Sequence, residues 1–148
     1  MTDEAALKLN EALSLNGGRA HPDVVFMYLT RKGLAEVYSR KGLSSELEAE
    51  YAEILRLKPE DTFVSYNLAV MYQKAGRLNE AVGLYSNALV RASKPGQRRD
   101  ILNNLGSCYA ALGDPERAVA SYTEALRYSP GDAVILNNLR AVMKPGSR

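Results

Sequence analysis

The chain has 148 residues, of which 46% are hydrophobic and 24% charged, and its formal net charge is +2. That balance suits an ordered domain with a core of its own and speaks against a charge-driven partner, so neither a nucleic acid nor an anionic membrane surface is expected. No apolar run approaches the roughly 18 residues that a membrane helix needs, so direct membrane insertion is not expected either.

Thr2 or Asp3 caps a first helix that runs to about Asn16 and carries Ala5, Leu9, Ala12 and Leu13 on one face. Gly17-Gly18 stops it. His21-Pro22-Asp23 opens a second helix reaching about Lys41, with Gly33 inside it at a cost of about 1 kcal/mol against Ala. Gly42 ends that helix, and Ser44 or Ser45 opens a third that runs to about Leu57 before Pro59. Ser45 and Glu48 have capping-box spacing. The pattern then gives helices from Asp61 to Lys74 and, after a turn at Gly76, from Asn79 to about Ala92. Lys94-Pro95-Gly96 reads as a connection, followed by a helix from about Arg98 to Leu112. Asp114-Pro115, a cap followed by proline at the first helical position, starts the next, which ends near Tyr128. Pro130-Gly131-Asp132 breaks the chain before a last helix over Ala133 to Met143, and the tail KPGSR is expected to fray. The expectation is eight helices, no strand and an all-α fold.

The helices repeat. Leu34, Leu68, Leu105 and Leu139 follow one another at 34, 37 and 34 residues, and a fixed period of that length marks one unit stacked several times. Around Leu105 stand Gly106, Tyr109, Gly113, Ala118, Tyr122, Ala125 and Pro130; around Leu68, the series is Ala69, Tyr72, Gly76, Ala81, Tyr85 and Ala88. The first copy keeps Leu34, Ala35, Tyr38, Gly42, Tyr51 and Pro59, with Leu47 and Ile54 where small residues stand in the others. The chain thereby resembles the tetratricopeptide repeat (TPR) family over nearly its whole length. The resemblance implies a right-handed superhelical solenoid of antiparallel helix pairs, as a single domain over 1–148. Its repeats are 28–59, 62–93 and 99–130, between an N-terminal helix, 3–16, that is similar to a second TPR helix and a C-terminal capping helix, 133–143. Small residues at 35, 69, 106, 81 and 118 let helix axes approach, and the tyrosines fill the space between repeats. Arg140 replaces the small residue in the last helix, which fits a cap.

Little in the chain suggests catalysis, a metal or a cofactor. His21 lies in a proline-flanked loop, no Cys/His cluster has ligand spacing, and no nucleophile has an evident base. Cys108, the single cysteine, reads as a core residue between Leu105 and Tyr109; it cannot form an intrachain disulfide and suits a reducing, cytoplasmic location. A signal or anchor in a longer parent protein is the alternative. Glu46, Glu48, Glu50 and Glu53 read as a solvated face, and Arg91, Lys94, Arg98 and Arg99 as a solvated basic cluster in which Arg99 can pair with Asp100.

The candidate site residues are amides. Asn67, Asn104 and Asn138 each precede the repeat leucine, with Gly33 there in the first copy. The resemblance places this position on the concave groove, where the ladder is similar to that of the TPR arm of O-linked GlcNAc transferases and implies a hold on a peptide backbone. The competing reading is that the amides tie neighbouring helices together. Phe63, Tyr66, Val70, Gln73, Asn103, Ser107 and Lys32 are groove neighbours by the same resemblance, as are Lys74, Asn137 and Glu36. A clamp for chaperone C-terminal carboxylates is matched only at Lys32 and Asn67; Glu36, Asp100 and Asn104 replace its other members, and two acids there repel a carboxylate. The expected function is non-catalytic protein–protein interaction through a peptide segment of a partner. The alternatives are the substrate-recruiting part of a larger enzyme or membrane protein, and a scaffold that self-associates through its end helices.

Overall fold

The computed structural model describes residues 2–144. Eight α-helices follow in order among them: α1 (Thr2–Gly17), α2 (Val24–Lys41), α3 (Ser44–Leu57), α4 (Thr62–Lys74), α5 (Leu78–Arg91), α6 (Pro95–Ala111), α7 (Pro115–Tyr128) and α8 (Ala133–Met143). There is no strand among the described residues. Of the tail expected to fray, 145–148 lie outside the described residues.

The repeat is visible first in its turns. Gly42, Gly76 and Gly113 have φ of 69°, 76° and 75°, and each closes the first helix of a pair. The residue after each glycine bonds back five residues: Leu43 N–H to the Tyr38 carbonyl, Arg77 to Tyr72, and Asp114 to Tyr109. This bond across a left-handed residue satisfies carbonyls that a helix end otherwise leaves open, and glycine adopts that conformation without a Cβ clash. At the helix starts, Asp23, Asp61, Asp114 and Asp132 cap α2, α4, α7 and α8 by accepting backbone N–H groups.

Two sequence expectations about helix starts are corrected. Leu43 occupies the cap position of α3 and makes no side-chain cap bond, so the Ser45–Glu48 box does not form; Ser44 is already helical. α6 begins at Pro95 rather than Arg98. Proline at the first helical position gives up no bond there and already has helical φ, so the residues read as a connection form a helical turn.

The chain divides into two compact units, 1–64 and 65–148. In the first, α1 packs on α2 and α2 on α3. Leu9 packs over Gly33, where a Cβ would lie 3.4 Å from Leu9 Cδ1, an ordinary contact distance. Leu34, Ala35, Tyr51, Ile54 and Val64 are its buried apolar residues. Asn16, only 3% exposed, ties the α1–α2 loop by donating to the Asp23 carbonyl (3.0 Å) and accepting from the Asp23 N–H (3.3 Å). The acidic run of α3 is not a uniform solvated face: Glu50 is buried and pairs with Arg31 at 2.9 Å. A half-buried guanidinium from α2 offsets the loss of water there.

In the second unit, Ala69, Ala81, Tyr85, Ala88, Ile101, Leu105 and Cys108 form one core cluster. Leu102, Ala118, Tyr122, Ala125 and Ile135 form another. A Cβ on Gly106 would lie 2.6 Å from the Tyr122 ring, so α6 and α7 touch where the sequence places its smallest residue. Arg98 departs from expectation. It is half-buried, donates through Nη1 to the carbonyls of Leu89 (3.1 Å) and Ala92 (3.0 Å), and donates through Nε to the Tyr128 hydroxyl (2.8 Å). It therefore closes the C-terminal end of α5 rather than facing solvent. Arg99 pairs with Asp100 at 2.7 Å, as the sequence suggests.

Candidate functional site

Most candidate residues fall in the second unit. Asn67, Asn104 and Asn138 are half-buried at matching positions of α4, α6 and α8. Asn104 donates to the Tyr66 hydroxyl at 3.2 Å and Asn138 to the Asn103 side-chain carbonyl at 3.1 Å. Each bond joins a first helix to the one before it. Ser107 donates to the Asn103 backbone carbonyl and shares a hydrogen bond with the Tyr122 hydroxyl, both at 3.1 Å. The Tyr85 hydroxyl donates to Gln73 at 2.8 Å, and its ring stands edge-on to Tyr66, 5.8 Å between centroids. Burial pushes the Tyr85 hydroxyl far above its ordinary value, so it stays a donor. Val70 and Tyr66 pack against the first core cluster. A primary amide has two donors and an acceptor; Asn138 gives one donor to Asn103, while Asn104 gives one to the Tyr66 hydroxyl and also bonds towards the Tyr85 hydroxyl.

In the first unit, Lys32 and Phe63 border a groove of about 530 Å³. Ala35, Tyr51, Ile54 and Val64 line it, with Glu36, Ser39 and Arg40 also around it. Phe63 is 61% exposed, and the Lys32 ammonium stands 5.9 Å from its ring centroid. Lys32 is itself held: its Nζ is 3.4 Å from Asp61 Oδ2 and 3.4 Å from the Tyr28 hydroxyl. Tyr28 donates to the same carboxylate oxygen at 2.7 Å. Burial pushes the Asp61 carboxyl up, but the Val64 N–H, the Tyr28 hydroxyl and the Lys32 ammonium outweigh it and hold it below the ordinary carboxylate range. Burial lowers the Lys32 ammonium, and Tyr28 with Asp61 more than reverses that.

Sequence reasoning missed three of these groups: Asp61 as an anchor for Lys32, Tyr28 as its second partner, and Arg98 as a closure for α5. Only the cap position of Asp61 had a local signal. Other candidate chemistry stays small. His21 is exposed, Cys108 is fully buried with its thiol pushed up by burial, and no cluster of three or more His, Cys, Asp or Glu residues suited to a metal occurs among the described residues. No helix among them is long and apolar enough to cross a membrane.

The tetratricopeptide repeat family model matches residues 61–130. The photosystem I assembly protein Ycf3 of Rippkaea orientalis is 32% identical over 85 residues, which is 57% of this chain and 49% of that protein. The chain thus spans about half the length of that relative. Among solved structures, MamA superposes with a TM-score of 0.74 at 16% identity, over 95% of this chain and 76% of that one. The second TPR domain of human RPAP3, solved in complex with the HSP70 peptide SGPTIEEVD, gives a TM-score of 0.69 at 16% identity, over 83% of this chain and 100% of that domain. Repeated turns, close-packed helix pairs and the matched segment agree: residues 61–130, a little under half of the chain, match the tetratricopeptide repeat family, and the all-helical fold is similar to that of solved tetratricopeptide repeat domains.

Proposed function

We propose that the chain is a non-catalytic protein-interaction module that takes a peptide segment of a partner along its first helices. The observation that carries this reading is the row of half-buried polar groups on α4, α6 and α8. Asn104 and Asn138 each keep donor or acceptor capacity after bonding the preceding first helix. An extended backbone offers a donor and an acceptor at every residue, which such amides complete without reading its side chains. Asn67, Asn103, Ser107, Tyr66, Val70 and Gln73 belong to this contact set in the second unit, and Lys32 and Phe63 to a set in the first. The related TPR domain seen with a bound peptide supports the same use of the fold.

The test is a pull-down with wild type beside an Asn67→Ala/Asn104→Ala/Asn138→Ala variant shown to keep its helicity and melting. The reading expects a partner held by wild type and lost from the variant. Equal capture by both makes the amides scaffolding and refutes their role.

The likeness to a photosystem I assembly protein favours a narrower second reading, in which the partner is a subunit held during assembly of a larger complex. Under it, the chain co-purifies with assembly intermediates and not with the finished complex; enrichment on the finished complex counts against it.

A further inference from the structure

The groove of the first unit has its charges balanced from within. Lys32 is paired with Asp61, whose side chain is only 8% exposed, and Glu36 on the rim is paired with Arg40. A carboxylate arriving at Lys32 must share it with a buried carboxylate 3.4 Å from the same ammonium, and like charges in that setting repel strongly. A cation arriving there meets Lys32 and Arg40. The lining beneath is apolar: Ala35, Tyr51, Ile54 and Val64 are all buried. The α2 stripe that carries Lys32 and Glu36 continues towards its N-terminus as Leu29 and Val25, which are 60% and 67% exposed. The volume of about 530 Å³ lies within the roughly 300–1,000 Å³ usual for binding pockets.

Resting on the peptide-binding reading above, we infer that the segment seated in the first unit is apolar, placing bulky aliphatic or aromatic side chains in this groove against Phe63, with no carboxylate held at Lys32. Affinity there comes from burial of apolar surface, which salt barely changes, and not from ion pairing, which salt screens. Recognition of this kind differs in chemistry from capture of an acidic chain end.

The chain contains no Trp, so Phe63→Trp gives a single reporter at the groove and keeps its aromatic ring. The full chain carrying this substitution is titrated with three Gly/Ser host peptides, one bearing a Leu/Phe pair, one a Glu/Asp pair and one a Lys/Arg pair. The expected result is a blue-shifted emission with the Leu/Phe peptide alone, with affinity changing by less than about twofold as salt is raised. Ser39→Phe, which fills the groove from its exposed rim, is expected to weaken that binding by about tenfold or more. Tighter, salt-sensitive binding of the Glu/Asp peptide overturns the inference and leaves the peptide-binding reading standing. Leu/Phe binding indifferent to Ser39→Phe overturns the location. A blue shift that grows with protein concentration alone, with rising mass in sedimentation, gives the groove to a second copy and overturns the inference. Binding of none of the three overturns it too, and the peptide-binding reading falls only if the pull-down also fails.

Discussion

Replacing Gly106 with Ala sets helix propensity against packing at one atom. Alanine gains about 1 kcal/mol over glycine inside a helix when nothing opposes it. Here the added Cβ would lie 2.6, 2.7 and 2.9 Å from three atoms of the Tyr122 ring. That ring is 3% exposed, sits in a packed cluster with Ala118, Ala125 and Ile135, and shares a hydrogen bond with Ser107. Moving it disturbs all of these at once, and overpacking of this kind costs about 1–3 kcal/mol. Taking the upper part of that range because three ring atoms are involved, the net effect of Gly106→Ala is a loss of about 1–2 kcal/mol. Urea unfolding followed by circular dichroism measures it. Repeated in a Tyr122→Leu background, where the ring is gone, the same substitution is expected to be neutral or stabilising. A gain of about 1 kcal/mol in the wild-type background, the full propensity value, refutes the claim that close approach of α6 and α7 fixes this position.

Other substitutions probe contacts that join distant parts of the chain. Arg98→Ala removes three half-buried hydrogen bonds at the end of α5 and is expected to cost about 2–3 kcal/mol in thermal or urea unfolding. Arg98→Lys recovers only part, because an ammonium lacks the guanidinium fork, and a cost near zero for Arg98→Ala would return it to the solvated surface. Asp61 has a folded-state value below its ordinary 3.8. Its ionised form therefore stabilises the fold above about pH 4, and that contribution is lost as pH falls through the folded value. Asp61→Asn should lower stability at pH 7 and flatten the acid limb of the stability curve, whereas an unchanged limb contradicts the Tyr28–Lys32–Asp61 arrangement. Cys108, fully buried, should react with a thiol reagent only as fast as the fold opens; rapid labelling of the native protein would show the α6 packing to be wrong.

The elements legible in the sequence were those with local signals. Gly42, Gly76 and Gly113 mark three equivalent turns because left-handed φ demands glycine whatever surrounds it. Asp114-Pro115 starts α7 where a cap and a proline say it must. The same rule applied to Pro95 would have started α6 correctly; the neighbouring Gly96 hid it by suggesting a loop. Arg98 and Asp61 were opaque for another reason. Their partners, Tyr128 and Tyr28, lie 30 and 33 residues away, and periodicity assigns a residue to a face without saying what its side chain reaches. The amides fall between these cases. Their register was plain from Leu68, Leu105 and Leu139, but the bonds from Asn104 to Tyr66 and from Asn138 to Asn103 depend on how neighbouring first helices lie, which spacing alone leaves open. Glu50 departs from the solvated-face reading because Arg31, its half-buried partner, stands on the preceding helix.

Hydrogen–deuterium exchange on the full chain, with and without the partner captured by pull-down or the Leu/Phe host peptide, reports where the partner segment lies. New protection is expected to gather in the first helices, α2, α4, α6 and α8, and to leave the second helices, α3, α5 and α7, as they were. Protection confined to the second helices, or to α1 alone, would contradict a partner segment held along the first helices.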